Sequence, residues 1–106
     1  MNKTVNLLDS IQFPGEIWAV FAGVSPTVVG YDLEPCGKQR VFPLMTSKTS
    51  AEAFLAQCQE KSPGAYAVRQ MTSWEEALNI ARKNNCWAVV AFSEWKGQVV
   101  ASQWVR

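Results

Sequence analysis

The chain has 106 residues, 48% hydrophobic and 18% charged, with ten Lys plus Arg against nine Asp plus Glu. That size suits one domain over residues 1–106, and the balance suits a packed core and excludes a disordered chain. A net charge of +1, carried without any run of like sign, argues against a nucleic-acid partner, which would be met by Lys and Arg gathered on one face.

The longest apolar runs, Ile17–Ala22 and Cys86–Phe92, fall far short of the roughly 18 residues that span a bilayer, so no membrane association is expected. The first residues hold no long apolar stretch and no cleavage site, and no export signal is expected. Cys36, Cys58 and Cys86 form an odd, widely spaced set. Reduced thiols in a cytoplasmic protein are the simplest reading.

In chain order, Val5, Leu8 and Ile11 recur at helical spacing and predict a short helix over Lys3–Gln12, ended by Phe13-Pro14-Gly15. Glu16–Ala22 is aromatic and β-branched and reads as a strand. After a turn at Gly23–Pro26, Thr27–Leu33 reads as a second strand, hairpin-paired with the first. Glu34–Lys38 is a turn, and Gln39–Leu44 a third strand. Thr49-Ser50-Ala51-Glu52 has the form of a capping box, and Ala51, Phe54, Leu55 and Cys58 follow as one apolar helical stripe. Ser62-Pro63-Gly64 stops that helix, and Ala65–Met71 follows as a strand. The design recurs: Thr72-Ser73-Trp74-Glu75 repeats the cap, Trp74, Ala77, Leu78 and Ala81 repeat the stripe, and Cys86–Phe92 supplies the next strand. Two helix–strand units suggest a β-α-β-α-β run on one sheet. Lys96-Gly97 then turns the chain into Val99–Val105, a terminal hairpin and edge strand. The expected class is therefore α+β: a short N-terminal helix, antiparallel strands, two capped helix–strand units on a mixed sheet, and a C-terminal β-hairpin.

The chain has no histidine. That removes the commonest general base and the commonest zinc ligand, and the cysteines lack metal-ligand spacing. No catalytic residue, metal or cofactor is expected. Carboxylates are the remaining route to chemistry. Asp32 and Glu34 share one strand face, and Glu16 can lie on a paired strand, so the three are candidate ligand-binding groups. A solvated outer sheet face explains the same alternation.

Five tryptophans are many for this length. Trp18, Trp74 and Trp87 lie within apolar patterns. Trp95 beside the last turn and Trp104 on the last strand are candidate interface residues, set against the alternative that both fold back onto the sheet.

Phe42-Pro43-Leu44-Met45-Thr46-Ser47 with Ala51-Glu52-Ala53-Phe54-Leu55 resembles a stretch in SseB-like bacterial domains, where a strand leads through a Thr-Ser step into a capped helix. The resemblance covers only that stretch. It implies a small bacterial-type α+β module and supplies no catalytic residues. Together these readings lead to a non-enzymatic interaction or regulatory module, a homodimer or the binder of a protein partner. A small-ligand binder or enzyme using the carboxylates is the alternative.

Overall fold

The computed structural model describes residues 16–33 and 37–105. The expected helix over Lys3–Gln12 and the residues Glu34 and Cys36 lie outside them. Nine elements follow in order: β1 (Ile17–Ala22), β2 (Ser25–Pro26), β3 (Val29–Leu33), β4 (Gly37–Met45), α1 (Lys48–Lys61), β5 (Tyr66–Met71), α2 (Trp74–Lys83), β6 (Ala88–Phe92) and β7 (Val99–Trp104). Two helices pack on one mixed seven-stranded sheet, with β5-β1-β4-β6-β7 as its main run. The central pair β4–β6 is parallel, and β5 also runs in their direction, two antiparallel steps away across β1. The crossovers through α1 and α2 thus travel in opposite directions over opposite faces and share one hand, as the strong chiral preference of such connections requires.

The expected hairpin between β1 and Thr27–Leu33 does not form, and only Ser25–Pro26 folds back on β1. β1 pairs with β5 along its whole length, while β3 pairs with β4. Pro43 supplies the physical reason. The Trp87 N–H donates to Arg40 O, and the Thr46 N–H donates to Phe92 O, so even-numbered residues of β4 turn their backbone groups toward β6. Odd-numbered residues face the other side, where Pro43 has no N–H to offer. On that side β3 stops at Val41 and β1 touches only Met45, opposite Trp18. Continuing the β1 register would set Val20 opposite Pro43. The Val20 carbonyl instead accepts from the Thr27 N–H at 2.9 Å and the Thr27 hydroxyl at 2.8 Å. The proline therefore sits where β1 leaves β4 and β3 takes over, and among the described residues no strand pairs with the outer edge of β3.

Both sheet faces are buried, because each carries one helix. On one face Ile17, Ala19, Phe21, Phe42, Leu44, Val89 and Ala91 pack with Ala77 and Ala81 of α2. On the other, Val20, Leu33, Val41, Met45, Val90 and Phe92 pack with Ala51 and Phe54 of α1. The two stripes read from the sequence occupy opposite faces, with Leu78 half-buried beside the buried alanines.

The caps sit one or two residues away from the expected positions. Ser47, not Thr49, caps α1: its backbone is extended and its hydroxyl accepts from the Ser50 N–H at 3.1 Å. Ser73, not Thr72, caps α2 and accepts from the Glu76 N–H. Glu76 closes the box by accepting from both the N–H and the hydroxyl of Thr72, at 2.9 and 3.0 Å. At its far end α2 closes with the two backward bonds Cys86 N–H to Ala81 O and Asn85 N–H to Arg82 O. Asn85 takes the left-handed conformation (φ 60°), which asparagine tolerates.

The hydrogen bond from the Thr72 backbone holds the Glu76 carboxyl below its ordinary pKa, with the Thr72 hydroxyl and Arg69 adding to the effect against partial desolvation. A depressed folded-state pKa gives stability that is present above the unfolded value and lost as pH falls through the folded one. In thermal melts, wild type is expected to exceed Glu76→Gln at neutral pH, and the gap is expected to close below the carboxylate range. A gap independent of pH would contradict this role.

β7 departs from simple alternation. Its register against β6 shifts between Ala91 and Phe92, which pair with Ala101 and Val99 and leave Val100 as the extra residue of a bulge. Val99 and Trp104 consequently share the α1 face, while Ala101 and Val105 lie on the α2 face.

Candidate functional site

Of the three carboxylates picked out by sequence, the two described ones, Glu16 and Asp32, do not converge. Asp32 is exposed, opposite Lys38 in the β3–β4 ladder. Glu16 lies just before Trp18 and accepts a 2.7 Å hydrogen bond from its indole N–H. Trp18 is level with Met45 and Asp32 with Lys38, roughly 23 Å apart along β4 at about 3.3 Å per residue. Among the described residues no three His, Cys, Asp or Glu side chains group closely enough to hold a metal ion. Cys58 and Cys86 are free thiols. Burial pushes the Cys58 thiol above its ordinary pKa, partly offset by Lys61, so it is a poor nucleophile.

The turn between β6 and β7 is more informative. The Gly97 N–H donates to Glu94 O, and the Gln98 N–H to the Ser93 hydroxyl. The left-handed residue of this turn is Lys96 (φ 69°) and not the adjacent glycine. Gly97 is required for a different reason: a β-carbon there would stand 2.6 Å from Glu94 Cγ and 3.1 Å from Glu94 O. The Ser50 hydroxyl donates to Ser93 O at 2.8 Å and ties the turn to the first part of α1.

Held in this way, Trp95 lies over the α1 face of the sheet. Its ring centroid is 5.1 Å from Phe54, 5.2 Å from Phe92 and 6.5 Å from Tyr31. Trp104 meets Trp87 edge-on at 6.5 Å. Both candidate interface tryptophans are half-buried against their own chain and keep part of their surface outside.

Beside Trp95, a groove of about 610 Å³ runs between the outer edge of β3, the second half of α1 and the 93–98 turn. Phe54 and Trp95 form its apolar wall, and Lys38, Lys61 and Lys96 line it, with Glu60 the one carboxylate among the described lining residues. Lys38 reaches it because Gly30 has no side chain: a β-carbon on Gly30 would meet Lys38 Cδ at 3.3 Å. The three lysines come from β4, α1 and a turn, which is why no local sequence pattern marks them. Lys96-Gly97 in the turn was the only signal.

Among the described residues β2, β3, β5 and β7 each pair on one side only, and the two ends of the main run, β5 and β7, differ. β5 carries Arg69, bridged to Glu76 at 3.4 Å. β7 carries no charge along Val99–Trp104, and Val100 is 42% exposed. No helix among the described residues is long and apolar enough to cross a membrane. No known family profile matches the chain, and no curated protein or solved structure matches it significantly.

Proposed function

We propose that this chain is a non-enzymatic interaction or regulatory module that self-associates through β7. The observation that carries the reading is the uncharged outer edge of β7. Exposed edges are ordinarily blunted by charge, proline or cover, and an unblunted one recruits a further strand. The bulge at Val100 interrupts pairing locally and leaves Ala101–Trp104 as the regular stretch. Val105 donates its N–H inward to Trp87 O, so by alternation the backbone groups of Trp104 face away from β6. β5, with Arg69 on it, is the poorer edge. The odd, widely spaced set of three cysteines supports a cytoplasmic location.

Size-exclusion chromatography with light scattering tests the reading. A dimer is expected at micromolar concentration, and Val100→Lys is expected to shift it toward monomer with an unchanged circular dichroism spectrum. A wild-type chain that stays monomeric at high micromolar concentration would remove the proposal.

A further inference from the structure

We infer that the groove between β3, α1 and the 93–98 turn binds a small organic anion with a flat apolar body. Its dimensions suit a small molecule, about 610 Å³, within the usual range of ligand sites. Its wall suits a ring, because Trp95 and Phe54 present apolar faces to it. Its rim suits an anion, because Lys38, Lys61 and Lys96 outnumber Glu60 there. None of the three lysines takes part in an ion pair among the described residues, where Arg69–Glu76 is found instead.

Lys96 is the residue that ordinary folding does not explain. Lys61 in the last turn of α1 is favoured by the helix dipole whatever the groove does. Lys96 instead occupies a left-handed backbone position (φ 69°) that glycine or asparagine fills at lower cost. The other non-glycine residue in that conformation is Asn85, which fits it. A strained lysine at the mouth of a groove is the pattern expected where a side chain is kept for what it contacts. The same turn is fixed to α1 through Ser50 and Ser93, so the backbone that carries Lys96 is in place before a ligand arrives.

The test uses the full chain and three probes: naphthalene-2-sulfonate, its neutral sulfonamide, and inorganic phosphate. Binding is followed by the indole N–H signals in two-dimensional NMR, with Trp95 assigned from Trp95→Phe. The sulfonate is expected to shift the Trp95 signal and to bind at least threefold more tightly than either the sulfonamide or phosphate. Lys96→Gly is expected to weaken sulfonate binding at least threefold with a melting temperature unchanged or raised, since glycine accepts the turn's backbone freely. Lys61→Gln, which leaves the turn alone, is expected to weaken it similarly. Equal binding of the sulfonamide, equal binding of phosphate, less than a threefold effect in both lysine variants, or no shift at Trp95 would overturn the inference.

Discussion

Phe92→Ala is expected to cost about 3–5 kcal/mol of folding stability, the range for a fully buried aromatic truncated in a core. Phe92 has no exposed surface and lies on β6, between β4 and β7. Its ring is met edge-on by Tyr31 at 5.3 Å and by Trp95 at 5.2 Å. Removing it therefore empties a core position and also withdraws the support beneath Trp95, so the turn above it should loosen. Domains of this kind are stable by only about 5–15 kcal/mol, which brings the variant close to unfolding. Urea denaturation followed by tryptophan fluorescence measures the loss. Phe92→Leu, which keeps most of the volume, is expected to cost less than about 1.5 kcal/mol. A loss below about 1 kcal/mol for the alanine variant would show that this cluster does not hold the α1 face together.

Trp104→Ala is expected to weaken self-association by about 2 kcal/mol or more, the scale of a tryptophan hot spot. The reasoning starts from its double position. One side of the ring packs on Trp87 within the chain, and the rest remains open at the outer strand. The internal contact also contributes to folding, so the variant should melt somewhat earlier in any case. Two measurements on one variant separate the effects: the dissociation constant of the folded protein by light scattering, and unfolding stability by denaturant. Loss of stability with an unchanged monomer–dimer equilibrium would place Trp104 within its own subunit only.

Local order was legible in the sequence where one period dominates. The stripes Ala51-Phe54-Leu55-Cys58 and Trp74-Ala77-Leu78-Ala81 identify both helices, and the apolar runs locate β1, β5 and β6 closely. The caps were displaced because Ser47, Thr49, Thr72 and Ser73 are all chemically able to cap. Which one does so depends on where the preceding strand ends. Strand partners were not legible. The point along β4 at which β1 gives way to β3 lies at Pro43, a residue in a different strand from either. The same long-range decision sets Glu16 far from Asp32. The groove was hidden for a related reason. Lys38, Lys61 and Lys96 read individually as solvated charges, and only the departure of β1 from β4 opens the strand edge beside which they gather.

The pairing of β1 with β5 has a consequence for how the chain acquires its structure. Ile17 finds its partner at Met71, and Val41 its partner at Ala88. Only β3–β4 and β6–β7 join neighbours through short turns, since β1 and β2 share just two paired positions. Loop closure must therefore precede most of the hydrogen bonding in the sheet, and topologies of this kind fold slowly for their size. During synthesis, β1 emerges well before β5, the strand that pairs with it along its whole length. Until α1, β5 and α2 arrive, its Ile17, Val20 and Phe21 stay uncovered, and this hydrophobic segment is exposed to aggregation in the nascent chain.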